Sequence, residues 1–576
     1  MKSGAELLCD TLERLGVTCV FGLPGTQNLA LYEALRRSRL RSVVATHELA
    51  ASFMANGYYR ASGRLAPLLT IPGPGFTYAL TGLAEARQDS AALLHVVGAP
   101  PEGRRPFQFQ ALDQRALASP LAKAVLRAEE PGEVERAVSE AVALALSGEP
   151  GPVVLEWTAR ALEEGACAAP SPPGPAAPDR AAPADPASLE AAASLLADAR
   201  RPVLLVGQGS AGSAARVREL AQLLGAAVLS TLSGRGIVPE DDPLSLGYDF
   251  TMGHVDELNA LLAASDCVLV LGCKLSAAGT DNFALALPLD RLIQIDAAGP
   301  VVGATYPGRL GVVGALEVVL EELLPAVRRR RDAATGGWTP EALADWRRRL
   351  HAPHDAVRTE PRVHGIEPAT PEAFFASLRR ALPPEAILVA DSGLHQTLAR
   401  RHFRVLAPRG LLTPSDYQSM GFGLPAAIGA KLAAPERPVV ALIGDGGFAM
   451  SGMELMTALR ERIALTVIVF NDGQLNRIRL QQLAEFGRSE GCEVLNPDFG
   501  AFADAMGINY ELWDASGEER VRRALGAREP TLLEVRLGDS PGIQVSRARG
   551  LASAAARRAM TPGALRALKR ALKRAP

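Results

Sequence analysis

The sequence predicts an α/β protein made of three doubly wound parallel-sheet domains. Short apolar runs alternate with amphipathic helical segments along nearly the whole chain, a pattern typical of parallel sheets covered by helices. The length of 576 residues exceeds what one hydrophobic core organises, since domains average roughly 150 residues. Polar or Pro/Ala-rich stretches separate the α/β segments. The predicted boundaries are domains at 1–162, 187–325 and 370–540, connections at 163–186 and 326–369, and a basic tail at 541–576.

The alternation of predicted helices and strands is clearest in the first domain. Its predicted helices are 5–15 and 29–38, and its predicted strands are 42–45, 66–71, 93–97 and 153–156. The segment from Glu163 to Pro186 is dense in proline and alanine, as a linker is.

The second domain has predicted strands at 203–206, 226–230, 267–271 and 292–295. Its first strand is followed by Gly207, Gly209 and Gly212 in a formal GxGxxG spacing. A dinucleotide-binding fingerprint also requires an acid at the end of the next strand, about 20 residues on. That strand ends in Ser-Thr-Leu-Ser, which argues against the rival hypothesis of an NAD-dependent oxidoreductase.

The third domain carries the strongest chemical signal. Two continuous apolar runs, 439–443 and 465–470, are typical of strands buried on both faces, and Asp445 and Asp472 follow them 27 positions apart. Both acids are expected at the crevice where parallel sheets bind ligands. Two carboxylates suit Mg²⁺, and the glycines Gly444, Gly446 and Gly447 leave backbone N–H groups available to phosphate. A lone Gly-Asp-Gly would be an ordinary turn, but the second acid favours a metal–phosphate site.

Composition excludes several other classes. Lys and Arg number 61 against 63 Asp and Glu, so charge gives no reason to expect nucleic acid or a membrane surface as a partner. The amphipathic start is not a signal peptide, and no apolar run is long enough to span a bilayer. The six cysteines lack CxxC spacing, which favours reduced thiols in a cytoplasmic protein.

The motifs together resemble the thiamine diphosphate enzymes, in particular their acetolactate synthase and 2-oxo acid decarboxylase branch. The stretches that carry the resemblance are FGLPGTQN (21–28), THELAASFMANGYYRASG (46–63), IPGPGFTYALTGLAEA (71–86), SGEPGPVVLEW (147–157), SGRG (233–236), IQID (293–296), SMGFGLPAAIGA (419–430) and GDGG (444–447). The resemblance implies a pyrimidine-binding first domain, a central nucleotide-binding-like domain and a diphosphate-binding third domain. It also implies a homodimer or homotetramer whose active sites lie across subunits.

The resemblance assigns the cofactor and metal residues of the third domain. It makes Asp445 and Asp472 side-chain ligands of Mg²⁺, with the carbonyl of Gln474 as a third ligand, and leaves Asn471 in a supporting role. It places His395 and the glycines 444, 446 and 447 beside the diphosphate. Taken alone, a single histidine is more often structural.

The remaining cofactor residues come from both ends of the chain. Glu48 matches the glutamate that bonds to the aminopyrimidine ring and favours the tautomer that removes the thiazolium C2 proton. Met420 matches the residue that holds the cofactor bent, and Gly73-Pro74-Gly75 matches the turn beside the pyrimidine. Without the surrounding motifs, Glu48 would be a dipole-stabilising surface residue and Met420 a space-filling core residue.

Substrate contacts are implied less directly. Gln110 and Lys123 match stretches near the acyl pocket of acetolactate synthase relatives, and the resemblance gives Gln110 a catalytic role. Gln114 and Thr26 are weaker candidates, and a solvated polar residue in a loop is an equally good explanation of each of the four. The position of a substrate-selecting Trp in acetolactate synthases falls on Gln481. The neighbouring Arg477, Arg479 and Gln482 predict either a polar or anionic acceptor substrate or an exposed helix start.

The predicted activity is decarboxylation of a 2-oxo acid followed by carboligation to a second carbonyl. Alternatives are a CoA-linked lyase of the oxalyl-CoA or 2-hydroxyacyl-CoA type and a simple decarboxylase of the benzoylformate type. Asp113-Gln114 stands where simple pyruvate decarboxylases have paired histidines, which favours the carboligase. Gly272-Cys273-Lys274 lacks the Arg and acids typical of FAD contacts, which argues against FAD. The basic stretch 560–575 is either a solvated helix or a cover for an anionic substrate.

Overall fold

The computed structural model describes residues 2–100, 107–166, 184–247, 255–332, 335–351 and 360–539. These residues form three α/β units, each built on a mainly parallel sheet, which confirms the predicted fold class. The basic tail lies outside the described residues. Across the described ranges, no helix combines the length and apolarity that a membrane crossing needs.

The first domain is a six-stranded, all-parallel sheet with the order β3-β2-β4-β5-β7-β6. The strands of this sheet are β2 (Cys19–Gly22), β3 (Arg41–Val44), β4 (Leu68–Thr70), β5 (Leu93–Gly98), β6 (Ala124–Ala128) and β7 (Pro152–Trp157). Two further strands, β1 (Lys2–Ser3) and β8 (Gly165–Ala166), form a separate two-stranded sheet. The helices of the first domain are α1 (Gly4–Arg14), α2 (Leu29–Arg37), α3 (Glu48–Ser62), α4 (Pro74–Gln88), α5 (Gln114–Ala118), α6 (Val134–Leu146) and α7 (Ala159–Glu163). β8 lies in the predicted linker, where it pairs antiparallel with β1.

The central domain is a five-stranded parallel sheet with the order β10-β9-β11-β12-β13. Its strands are β9 (Pro202–Val206), β10 (Ala227–Ser230), β11 (Cys267–Leu271), β12 (Leu292–Asp296) and β13 (Leu310–Val313). Its helices are α8 (Pro186–Asp198), α9 (Ala214–Leu224), α10 (Val255–Ala264), α11 (Leu316–Arg330) and α12 (Pro340–Leu350). The predicted connection 326–369 contains α12, whose Leu343, Trp346 and Leu350 pack into the core of the central sheet.

The third domain has a seven-stranded sheet in which only β14 runs antiparallel to its neighbour. Its strands are β14 (Arg362–Val363), β15 (Ile387–Ala390), β16 (Leu411–Leu412), β17 (Val439–Gly444), β18 (Thr466–Asn471), β19 (Asn509–Leu512) and β20 (Thr531–Gly538). Its helices are α13 (Pro371–Ala381), α14 (Leu394–His402), α15 (Gly423–Ala433), α16 (Asp445–Ser451), α17 (Glu454–Arg460), α18 (Asn476–Phe486), α19 (Phe499–Met506) and α20 (Gly517–Gly526).

The first and third domains share one core through helices α3 and α15. A Cβ atom at Gly57 would lie 2.1 Å from the carbonyl oxygen of Ala426, and one at Gly429 would lie 1.9 Å from that of Met54. Both glycines therefore allow the two helix backbones to touch, a contact that any larger side chain would block. This packing fixes the start of α3, and with it Glu48, relative to the third domain.

A buried ion pair connects all three domains. Arg60 Nη1 lies 2.8 Å from Asp89 Oδ2, with both side chains almost fully inaccessible to solvent. Arg60 also donates to the carbonyl of Thr413, and Ser415 Oγ donates to Asp89 Oδ1, each at 2.7 Å. From the central domain, Gln208 Nε2 donates to the carbonyl of Asp89 at 2.7 Å. The carbonyl and hydroxyl partners satisfy charges that would otherwise be costly to bury.

Candidate functional site

The two acids predicted at neighbouring strand ends lie together at one edge of the third sheet. Asp445 directly follows β17 and Asp472 directly follows β18, and these two strands are paired in parallel. Helix α16 begins at Asp445 itself. Asp445 Oδ2 accepts hydrogen bonds from the backbone N–H groups of Asp472 and Gly473 at 3.2 and 2.7 Å. Asp445 therefore holds the loop that carries the second acid.

The oxygen atoms of the acid pair suit a hard cation. Among the described residues, Asp445 Oδ1 accepts one hydrogen bond, from Gly446 N, and each oxygen of Asp472 accepts one, from Gln474 N and Asn476 Nδ2. Lone pairs thus remain on both carboxylates. Burial, with the charge of Asp445 as a smaller contribution, raises the pKa of Asp472 to about 6; a bound dication would reverse this.

The protein offers fewer metal ligands here than a site in which side chains alone coordinate the metal. The described residues contain no cluster of three or more His, Cys, Asp or Glu side chains able to hold a metal. Two carboxylates with added backbone, water and phosphate oxygens are the usual protein contribution to a Mg²⁺ site. The residues present therefore fit Mg²⁺ bound together with a diphosphate.

A cavity of about 610 Å³ opens beside the acid pair. His395 lines it on the first turn of α14, and burial lowers the pKa of this imidazole to about 3. Its Nε2 is buried and has no hydrogen-bond partner among the described residues. A Cβ at Gly446 would lie 2.6 Å from Leu475 Cδ2, and one at Gly444 would lie 3.0 Å from His395 Nδ1. The glycines thus allow the side chains of Leu475 and His395 to pack directly against the backbone of this loop.

The loop that presents Met420 to this cavity is held on both sides by buried acids. Asp391 accepts hydrogen bonds from Gly421 N with Oδ2 at 2.9 Å and from Phe422 N with Oδ1 at 3.2 Å. Glu85 of α4 accepts from Ser419 N at 2.9 Å. Neither acid was predicted from the sequence as a site residue. Asp391 directly follows β15, the same signal that identified Asp445, whereas Glu85 lies 334 positions from its partner and gives no local signal.

The first-domain candidates form a second group. Glu48 is the first residue of α3 and is half-buried. A Cβ at Gly75 would lie 3.1 Å from Glu48 Oε1, and one at Gly73 would lie 2.9 Å from the Cβ of Gln110. Gly73 has φ of +67°, which favours glycine, and Pro74 begins α4. The structure therefore brings Glu48, the Gly73-Pro74-Gly75 turn and Gln110 together.

Two of the additional substrate candidates have structural partners instead. Gln114 is buried, and its Oε1 accepts from Gly73 N at 3.1 Å while its Nε2 donates to Glu156, so it holds the glycine turn in place. The ammonium of Lys123 donates to three backbone carbonyls at the end of α6 and just after it, and burial lowers its pKa to about 8. The expectation that Lys123 faces a substrate pocket is thus wrong. Thr26 does line a cavity, of about 820 Å³, together with Gln110.

The GxGxxG glycines of the central domain are explained by packing. A Cβ at Gly207 would lie 2.3 Å from the carbonyl oxygen of Gly272, and one at Gly209 would lie 2.9 Å from the Cα of Gly272. These glycines let the loop after β9 touch the loop after β11. Lys274, on the latter loop, donates to the carbonyl of Gln88 in the first domain, so this loop also contributes to domain contact.

Three family models match the chain in the order of its three domains. The models describe the N-terminal TPP binding domain, the central domain and the C-terminal TPP binding domain of thiamine pyrophosphate enzymes, at residues 2–117, 189–323 and 391–535. Thiamine pyrophosphate is another name for thiamine diphosphate. The chain belongs to this family and is a thiamine diphosphate-dependent enzyme.

Its curated relatives match over most of both chains. A probable 2-ketoarginine decarboxylase of Pseudomonas aeruginosa is 32% identical over 93% of this chain and 94% of its own. The acetolactate synthase large subunit IlvB1 of Mycobacterium tuberculosis is 32% identical over 88% and 82%. A probable acetolactate synthase large subunit of Methanocaldococcus jannaschii is 29% identical over 92% and 91%. The resemblance expected from the motifs is confirmed.

Proposed function

We propose that this enzyme decarboxylates a 2-oxo acid and joins the remaining fragment to a second carbonyl compound, as an acetolactate synthase does. The observation that supports the proposal best is the acid pair beside a cavity lined by glycines and His395 in the third domain, in a chain whose first domain presents Glu48. When bound, thiamine diphosphate supplies the electron sink for loss of carbon dioxide.

The third domain would hold the diphosphate end. Asp445 Oδ1 and Asp472 would bind Mg²⁺, with the Gln474 carbonyl as the proposed third protein ligand. The neutral imidazole of His395 would offer a hydrogen bond without adding charge, since its pKa of about 3 keeps it deprotonated at physiological pH. Met420 would press against the cofactor from a loop that Asp391 holds in place.

The Glu48 carboxyl would share a proton with N1′ of the aminopyrimidine and, as carboxylate, accept the hydrogen bond of the N1′–H imino tautomer, which favours that tautomer. For this role to be effective, water must be excluded from the hydrogen bond between the carboxylate and the ring. In the single chain Glu48 is half-buried, so the proposal requires a further surface to cover it. Gln110, beside the turn that carries Gly75, would contact the substrate.

We infer that a second copy of the chain provides this cover. Large apolar side chains are exposed next to the acid pair, on and just after α16: Met450 is 60% and Met453 56% exposed. Tyr78, on α4 near Glu48, is 53% exposed. Exposed apolar side chains of this size mark interaction surfaces. The residues that line the cavity beside the acids all come from the central and third domains, so a partner's first domain would complete the site.

Simple decarboxylation without carboligation is a second candidate. The relative described as a probable 2-ketoarginine decarboxylase covers 93% of this chain, and it is as similar as the acetolactate synthases. The two candidates differ only in the fate of the fragment that remains after carbon dioxide leaves, which is either joined to a carbonyl or released as an aldehyde.

The test is a screen of the purified enzyme with thiamine diphosphate, Mg²⁺ and a panel of 2-oxo acids, with carbon dioxide and organic products measured separately. Acyloin or acetohydroxy acid products support the carboligase, and aldehydes alone support the decarboxylase. Absence of carbon dioxide release from every 2-oxo acid, with turnover of an acyl-CoA, would contradict both and favour the CoA-linked alternative.

A further inference from the structure

Strand β3, which leads to Glu48, lies at the edge of the first-domain sheet, beside β2. An edge strand presents a row of backbone N–H and C=O groups that the sheet itself does not pair. Helix α17 of the third domain lies along this edge and contacts both ends of β3. Arg41, at the start of β3, donates to the carbonyl of Glu461, just after α17, at 2.9 Å. Thr46, two residues after β3, donates to Glu454 at the start of α17.

Glu454 holds Thr46 by its backbone and by its side chain. Its Oε1 accepts hydrogen bonds from Thr46 N at 3.0 Å and from Thr46 Oγ1. Its Oε2 accepts from Thr457 Oγ1 at 2.6 Å. Glu454 is only 1% exposed, and these three donors satisfy a carboxyl group that would be costly to bury without partners.

The usual explanation of an acid at the start of a helix does not account for these contacts. Such an acid stabilises the helix dipole or accepts from a backbone N–H group of its own first turn. In Glu454 both oxygens are occupied by other donors, Oε2 by the side chain of Thr457 and Oε1 by Thr46. The bond to Thr46 N joins residues 408 positions apart in different domains. The local helix gives no reason for that direction.

The helix that carries Glu454 is firmly packed. Leu455 and Ala458 of α17 are fully buried, and they belong to the same apolar cluster as Val43 of β3. Side chains on packed helices are placed more precisely than side chains on loops. Glu454 is therefore a fixed point from which the third domain can hold the connection after β3.

The connection between β3 and Glu48 has three residues, Ala45, Thr46 and His47. Ala45 N donates to the carbonyl of Gly22 at 3.2 Å, and His47 is the N-cap of α3. Thr46, between them, is exposed in the single chain, so its bonds to the third domain fix it where packing does not. Because the connection is so short, a shift of Thr46 would move the start of α3 and with it the carboxyl of Glu48.

We propose that Glu454 is a positioning residue for Glu48. By holding Thr46, it sets the direction in which Glu48 presents its carboxyl to the aminopyrimidine ring. The proposal rests on the proposed role of Glu48 and adds the group that keeps it in place. A misplacement of about 1 Å, caused far from the reacting atoms, can slow a reaction roughly 100-fold. Loss of Glu454 should therefore slow removal of the C2 proton and leave cofactor binding at Asp445 intact.

The test is the rate at which the C2 proton of bound thiamine diphosphate exchanges with D₂O, measured by quenched-flow NMR on the holoenzyme with Mg²⁺. Glu454→Ala is expected to exchange about 10- to 100-fold more slowly than the wild type, with unchanged calorimetric affinity for the cofactor. Glu454→Gln keeps an oxygen for Thr46 N–H and is expected to restore most of the rate. The control Glu461→Ala removes the side-chain contact with Arg41 at the far end of α17 and should exchange at the wild-type rate.

A second variant tests the same contact if Glu454→Ala does not fold. Thr46→Val loses the hydroxyl bond and keeps the N–H bond to Glu454, so exchange is expected to slow about 3- to 10-fold, the effect of one hydrogen bond. Exchange at the wild-type rate in Glu454→Ala or in Thr46→Val would overturn the proposal. Equal slowing in Glu461→Ala would also overturn it, because general loosening of the domain contact would then explain the effect.

The same assay separates this proposal from the role on which it rests. Slow exchange in Glu48→Gln together with wild-type exchange in Glu454→Ala would overturn the positioning role alone. Wild-type exchange in Glu48→Gln would overturn both the role of Glu48 and that of Glu454.

Discussion

The carboxyl of Glu85 provides a quantitative test of how the Met420 loop is held. Glu85 is fully buried on α4, its Oε2 accepts the N–H of Ser419, and its Oε1 has no partner among the described residues. Burial is the main reason that its pKa rises from 4.5 to about 7, and the charge of Asp89 adds to the effect. The protonated form is therefore favoured in the folded protein.

The sign and size of the pH dependence follow from this rise. Because the folded-state pKa lies above the unfolded value, the contribution of Glu85 to stability is fully present below pH 4.5 and is lost as pH rises through about 7. At about 1.4 kcal/mol per pH unit between the two pKa values, the loss between pH 5 and pH 8 is about 2.5 kcal/mol. Glu85→Gln keeps an oxygen for Ser419 N–H and does not ionise.

The assay is urea unfolding of the wild type and Glu85→Gln at fixed protein concentration between pH 5 and pH 8. The free energy of unfolding of the variant is expected to gain about 2.5 kcal/mol relative to the wild type over this range. The substitution also introduces an amide N–H group, whose effect on the free energy of unfolding is the same at every pH. This effect therefore cancels when the change between pH 5 and pH 8 is compared. Glu519→Gln, on the exposed surface of α20, is the control and should show no such trend. Parallel pH profiles for the wild type and Glu85→Gln would refute the assignment.

Two further predictions concern the metal site and the domain junction. Asp445→Asn should weaken Mg²⁺-dependent binding of thiamine diphosphate at least 10-fold, measured by calorimetry, because one of two anionic ligands is lost; unchanged affinity would contradict the metal assignment. Arg60→Met should lower the free energy of unfolding by about 3 to 5 kcal/mol, since it leaves Asp89 buried and unpaired. The exposed Arg36→Met is the control, and equal effects of both substitutions in denaturation would contradict the role of the buried pair.

The sequence predicted the parts of the fold and site that depend on local pattern. Strands β17 and β18 are buried on both faces, so their apolar runs and the acids that follow them are visible without a structure. Strand β13 and helix α12 were not predicted, because a four-residue edge strand and an arginine-rich helix have weak patterns. The role of Gln114 in holding Gly73, and that of Lys123 in capping carbonyls, depend on contacts between distant segments that no local pattern encodes.

The central claim is that Glu48 activates a thiamine diphosphate whose diphosphate is bound at Asp445 and Asp472. The most direct measurement is the rate at which the C2 proton of bound thiamine diphosphate exchanges with D₂O, followed by quenched-flow NMR in the wild type and in Glu48→Gln. The variant should still bind the cofactor with Mg²⁺ but exchange this proton roughly 10²- to 10⁴-fold more slowly, the usual contribution of a positioned acid–base group. Exchange at the wild-type rate in Glu48→Gln would contradict the account.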